Sequence, residues 1–179
     1  MIALIILYAL LGWPVGIFIN HAADILPTRK TLLQRQRCAN CGTLRPYPAW
    51  SGLLARLTGQ VHCPHCNQPR QTWRRNIAVE LGTPLLFGFL AYRYGLSIEL
   101  LLFSIYTAIL LLITVTDLEH RLIFNVVILP SILLALAAAF FTPGLAWPSA
   151  LVGGGLAFVV MYIAALISRG GLGEGDVTL

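Results

Sequence analysis

Long apolar runs alternate with one extended polar segment and several short ones along this chain. The first run, residues 1–19, contains no charged residue. As a helix with a 1.5 Å rise per residue it covers about 28 Å of a hydrocarbon core that is roughly 30 Å thick. Runs of similar length follow at about 77–94, 98–116, 122–141 and 150–167. The pattern predicts an all-α polytopic membrane protein with about five transmembrane helices.

Composition supports this class. Of the 179 residues, 58% are hydrophobic and only 11% are charged, and the mean hydropathy is +0.79. A soluble domain carries roughly 25% charged residues, so we exclude a soluble protein. The first apolar run has no positively charged leader and no small-residue cleavage site. We therefore predict that it is a permanent transmembrane helix rather than a signal peptide.

Positive charge is concentrated in the polar segment 20–77, which carries nine Lys/Arg and one acid, whereas the rest carries three Lys/Arg and six acids. This concentration argues against nucleic-acid binding and favours a cytoplasmic position for the segment. Alternation of the spans then places eleven of the twelve Lys/Arg in the cytoplasm and the N-terminus outside. The predicted organisation is one transmembrane helix (1–19), a small cytoplasmic domain (20–77) and a transmembrane domain (78–179).

All four cysteines lie in the polar segment, as Cys38-Ala-Asn-Cys41 and Cys63-Pro-His-Cys66, with 21 residues between the pairs. Each Cys-x-x-Cys pair can bind one metal ion, and two pairs complete a tetrahedron. Cytoplasmic thiols stay reduced, which favours a metal over disulfides. We predict a structural zinc site without an open, catalytic position. His62 and His65 are alternative ligands that four thiolates make unnecessary.

Two aspartates follow apolar runs that end on the same side of the membrane. Asp117 follows the run 98–116, and Asp176 follows the run 150–167 within the sequence Gly173-Glu174-Gly175-Asp176. Two transmembrane spans, an even number, lie between them. Both aspartates are therefore predicted to face the cytoplasm. Adjacent carboxylates that share one proton supply the base and the acid for peptide hydrolysis without a metal. Glycines permit an unwound backbone beside the acid. The alternative is that both aspartates only mark span ends in solvated loops.

In this order, these segments resemble the prepilin peptidases, or type IV leader peptidases, which are intramembrane aspartyl proteases of the Gly-x-Gly-Asp group. The resemblance implies that Asp117 and Asp176 are catalytic. Asn76-Ile77 stands where Tyr-Pro is usual in the family. The segments that carry the resemblance are Gly16–Asn20, both cysteine pairs, Trp50–Gly59, Arg75 with Val79-Glu80, Thr116–His120 and Gly173–Asp176.

The resemblance implies a bacterial inner-membrane enzyme that cleaves the leader of type IV prepilin or type II secretion pseudopilin precursors at the cytoplasmic membrane face. Members with paired cysteines often also methylate the new N-terminal amine with S-adenosylmethionine. The family continues through further spans, so we expect this chain to be a C-terminally truncated fragment or its pocket to be completed otherwise. Two alternatives are a carboxylate-relay transporter, which requires mid-span acids and repeats, and a non-catalytic membrane-anchored zinc module.

Overall fold

The computed structural model describes residues 1–28, 36–38, 40–46, 50–69, 72–120, 125–139 and 147–167. Within these ranges the chain is all-helical, and the only extended pairings are two isolated β-bridges. The helices are α1 (Ile2–Ile25), α2 (Gly52–Leu57), α3 (Trp73–Tyr94), α4 (Ile98–His120), α5 (Asn125–Ala139) and α6 (Trp147–Ile167), with a 3-10 turn (Leu26–Thr28) after α1. The all-α fold is thus confirmed. The chain divides into two compact units, Met1–Val115 and Thr116–Leu179.

Among the described helices, α1 and α4 are long and apolar enough to cross a membrane, with 24 and 23 residues. Both α1 and α3 extend beyond the apolar runs that predicted them. α1 continues to Ile25 rather than ending at residue 19, and α3 begins at Trp73 rather than at residue 77. The added turns contain polar residues, Asn20 and Asn76 among them, and these are fully buried between the helices. Hydropathy therefore marks only the apolar part of each helix.

The first unit is built on an antiparallel pair formed by α1 and α3. A Cβ atom added at Gly12 would lie 2.8 Å from the Cα of Pro84, and one at Gly16 would lie 3.2 Å from the Cα of Glu80. One turn further along α1, Asn20 Nδ2 donates to the carbonyl oxygen of Asn76 at 3.0 Å. The contact residues are thus spaced by four along α1 and by four, in the reverse direction, along α3. This spacing is expected when the i±4 ridges of two helices interlock. Small residues at this spacing let membrane helices approach closely.

The core of this unit lies where α4 joins the pair. Ile19 and Ala23 of α1, Val79 of α3 and Val115 of α4 form one buried apolar cluster. Near the opposite end of α1, the Ser104 hydroxyl of α4 donates to the Tyr8 hydroxyl oxygen at 3.3 Å. The three helices are therefore held together near both ends.

The second unit contains the end of α4 together with α5 and α6, and the last two pack against each other. Pro130 lies inside α5. Most described side chains of α6 are exposed apolar groups, such as Leu151, Leu156 and Val160. A helix that is apolar on all sides and barely covered by protein suits a lipid environment.

Candidate metal cap and aspartate site

Two turns with the same backbone pattern hold the cysteines, in the part of the chain that we call the cap (the described residues of 36–69). In the first turn the backbone amide of Gly42 donates to the carbonyl oxygen of Cys38 at 2.9 Å. The backbone amide of Cys38 donates to the carbonyl oxygen of Thr43, also at 2.9 Å. In the second turn Asn67 and Gln68 repeat these bonds with Cys63 at the same distances. Gly42 and Asn67 have φ values of +70° and +54°. Glycine and asparagine are the residues that adopt such left-handed positions most readily.

The four sulfur atoms converge at the contact of the two turns. The Sγ atoms of Cys38 and Cys66 lie 3.7 Å apart, those of Cys41 and Cys63 lie 3.6 Å apart, and all four lie within 4.8 Å of one another. Four thiolates about 2.3 Å from a tetrahedral zinc ion would lie about 3.8 Å apart. A disulfide would need about 2.05 Å. The arrangement fits a metal ion such as zinc, and it brings together all four residues that the sequence predicted as ligands.

The cysteine thiols differ in pKa because their local hydrogen bonds and burial differ. The backbone amide of Cys41, followed by that of Asn40, lowers the pKa of Cys38 to about 6. The backbone amide of Gln68 lowers the pKa of Cys66, but burial and the neighbouring thiols outweigh it and raise the value to about 11. Metal binding needs thiolates, so at neutral pH one ligand is already deprotonated while another must release its proton.

Glu80 of α3 fastens the cap to the helix pair. Its side chain is fully buried. Oε2 accepts hydrogen bonds from the Ser51 hydroxyl at 2.5 Å and the Leu53 amide at 3.1 Å, and Oε1 accepts from the Gly52 amide at 2.7 Å. The Asn20 amide nitrogen also approaches Oε1, at 3.5 Å. The carboxyl group therefore caps the first turn of α2 and links it to both α1 and α3.

Gly52 allows the close approach that these bonds require. A Cβ atom at this position would lie 2.8 Å from the Cβ of Asn76 on α3. The preceding residue, Ser51, caps α2 directly, since its hydroxyl oxygen accepts from the Leu54 amide at 3.2 Å. The sequence Ser51-Gly52 thus combines a helix cap with a steric gap.

A second link joins the start of the cap to the same end of the helix pair. Asp24 of α1 accepts from Arg75 of α3 at 2.6 Å and from Gln36 at 3.3 Å. The imidazole of His21 stacks on the indole of Trp50, with ring centroids 5.2 Å apart and planes 10° apart. Sequence reasoning missed these contacts. It also missed the contacts of Glu80, for which this carboxylate within the apolar run 77–94 was the signal.

The structure describes only one of the two predicted catalytic residues. Asp117 lies inside α4 with an exposed side chain, three residues before the helix ends at His120. The helix extends beyond the apolar run 98–116 that predicted it, because Asp117 and the three residues after it continue α4 to His120. Glu119 and His120 lie within 3.8 Å of each other there. Asp176 lies outside the described residues, so the pairing of the aspartates stays a prediction.

Comparison with known proteins agrees with the order of these features. The family model described as Type IV leader peptidase family matches residues 104–179, which include Asp117 and Asp176. A Bacillus subtilis protein named prepilin leader peptidase/N-methyltransferase is 27% identical over 157 residues, 88% of this chain and 52% of the relative. Over these stretches the chain is similar to the type IV leader peptidase family.

Further leader peptidase relatives cover the chain in the same way. Proteins with the same name from Myxococcus xanthus and Pseudomonas putida are each 29% identical, over 172 and 154 residues. These alignments cover 93% and 82% of this chain but 51% and 52% of the relatives. The chain thus spans about half the length of these curated relatives. No solved structure matches it significantly.

Proposed function

We propose that this chain carries the metal cap and the two aspartates of an intramembrane aspartic endopeptidase that removes the leader from type IV prepilins or type II secretion pseudopilins. The observation that supports this most directly is the family match over residues 104–179, which contains both aspartates. The relatives also bear the name of such a peptidase.

The proposed chemistry needs Asp117 and Asp176 to share one proton. One carboxylate takes a proton from water, and the water oxygen attacks the carbonyl carbon of the scissile peptide bond. The other, protonated, aspartic acid gives its proton to the leaving amine as the carbon–nitrogen bond breaks. No metal enters this step, because four thiolates leave the metal in the cap without an open position.

The proposed topology places five helices, α1 and α3–α6, across the bacterial cytoplasmic membrane. The N-terminus lies outside, and the cap and both aspartates lie on the cytoplasmic face. The antiparallel α1–α3 pair supports this arrangement, since it carries the cap at one end. The names of the relatives further support N-methylation of the new N-terminus, for which S-adenosylmethionine is the methyl donor.

The test uses membranes containing the chain and a pilin precursor, with the product followed by mass. We expect cleavage with the parental chain and none with Asp117→Asn or Asp176→Asn at equal protein levels. A gain of one methyl mass on the product reports the methyltransferase separately. Glu119→Gln is the matched control, since it removes a neighbouring acid of α4 and should leave cleavage intact. Parental cleavage by either aspartate variant would refute the proposal.

A further inference from the structure

Two arginines flank one tryptophan where α3 begins. The guanidinium carbons of Arg56 and Arg74 each lie 5.6 Å from the ring centroid of Trp73, so they are separated by no more than twice that distance. We call these three residues the arginine–tryptophan patch. Both arginine side chains are exposed. Across the described part of the chain neither forms an ion pair with a carboxylate, whereas the adjacent Arg75 binds Asp24 at 2.6 Å.

The surface of α3 next to the patch changes from charged to apolar within a short distance. From Leu81 onward, α3 exposes large apolar side chains, including Leu85 at 75% and Phe89 at 60% exposure. Leu81 lies seven positions after Arg74, about 10 Å along the helix, which is enough to cross a headgroup layer of about 5–8 Å. Tryptophan is enriched at this level of membrane proteins. The patch therefore lies where the helix pair leaves the hydrocarbon core.

The cap adds an apolar side chain beside this charge. Leu57 follows Arg56 at the end of α2 and is 80% exposed. An exposed leucine next to a cation is unfavourable in bulk water but suits the boundary between headgroups and acyl chains. Because Glu80 fixes α2 to α3, the cap holds Arg56 beside Trp73, and the exposed Leu57 is the next residue of α2.

We propose that the arginine–tryptophan patch binds the phosphate of an anionic phospholipid headgroup, and so holds the cap against the membrane surface. The guanidinium group binds phosphate with paired, planar hydrogen bonds, and each basic residue near an anionic surface strengthens binding about fivefold. The site involves neither aspartate, so it holds whether or not the chain cleaves leaders.

The test measures which lipid the purified full-length chain retains. The protein in detergent is mixed with equal amounts of phosphatidylglycerol and phosphatidylcholine, and bound lipids are counted by native mass spectrometry. We expect the parental chain to retain phosphatidylglycerol preferentially. The preference falls about fivefold in Arg56→Gln or Arg74→Gln and about thirtyfold in the double variant. An unchanged metal content verifies that the cap stays folded in each variant.

Arg93→Gln is the matched control, because Arg93 lies 5.7 Å from the ring centroid of Tyr94 at the opposite end of α3. This variant loses the same charge and should keep the preference. An undiminished preference in the double variant would overturn the proposal, as would an equal loss in Arg93→Gln. A third arm adds inorganic phosphate at the lipid concentration, and displacement of the lipid by it would show a free-phosphate site instead.

Discussion

Replacing Glu80 by glutamine is the sharpest perturbation of the link between the cap and the helices. The amide keeps the shape of the side chain but turns one acceptor oxygen into a donor. If the nitrogen replaces Oε1, it faces the amide of Gly52. If it replaces Oε2, the Ser51 hydroxyl can reverse its direction, but the Leu53 amide cannot. In either orientation, one backbone amide loses its acceptor.

The magnitude follows from the type of bond that is lost. A hydrogen bond to a charged group contributes about 1.5–3 kcal/mol. We therefore expect Glu80→Gln to lower the free energy of local opening of α2 by about 2 kcal/mol. That change makes the backbone amides of Gly52 and Leu53 exchange about thirtyfold faster. Glu80→Ala removes every acceptor and should accelerate exchange further.

Hydrogen–deuterium exchange followed by mass spectrometry of peptides that cover residues 51–57 measures this effect. Glu99→Gln provides the matched control, since Glu99 lies in the first turn of α4. The control should leave exchange in α2 unchanged. Parental exchange rates in the Glu80→Gln chain would refute the docking role. The same acceleration in both variants would show that it reflects a general loss of acidic charge.

Two further predictions test the helix contact and the metal. Gly12→Ala should destabilise the chain by about 1–3 kcal/mol in a thermal unfolding assay, because the new Cβ would overlap with α3. Gly82→Ala is the control and should be neutral, because a Cβ at Gly82 meets open space. Equal effects of the two variants would contradict the close contact. Purified protein should contain about one zinc per chain, lost in Cys63→Ser and kept in His65→Ala by elemental analysis. Because the pKa of Cys38 is about 6, this thiol also becomes protonated below that pH, and zinc affinity should then fall more steeply. Chelator competition measures the affinity. An affinity that does not change with pH would contradict thiolate ligation.

The sequence predicted the convergence of the four cysteines well because its determinants are local. Two Cys-x-x-Cys turns fold in the same way, and the positive-φ residues Gly42 and Asn67 follow directly in each. The helix ends were predicted less well. The polar Asn20 predicts the end of the first span, but its side chain is buried against Asn76, which is distant in the sequence. A hydropathy window cannot detect a polar group whose partner lies on another helix.

The candidate catalytic site was predicted by counting the transmembrane spans between the two aspartates rather than from geometry. The parity of the spans placed Asp117 and Asp176 on one side, and the family match covers both positions. The structure adds that Asp117 lies within the last turns of a helix, which fixes its direction more firmly than a loop would. The predicted pairing of the two carboxyl groups depends on contacts between distant segments, and no local pattern encodes such contacts.

The cap and the helix pair stabilise each other through Glu80. A fully buried carboxylate is costly unless donors surround it, and α2 together with its N-cap supplies a hydroxyl and two backbone amides. A helix of six residues is too short to be stable alone, and its first amides lack partners within the helix. Each element thus satisfies the unpaired groups of the other. The metal ion would hold together the two turns on either side of α2, so loss of metal should loosen this helix even when Glu80 is intact.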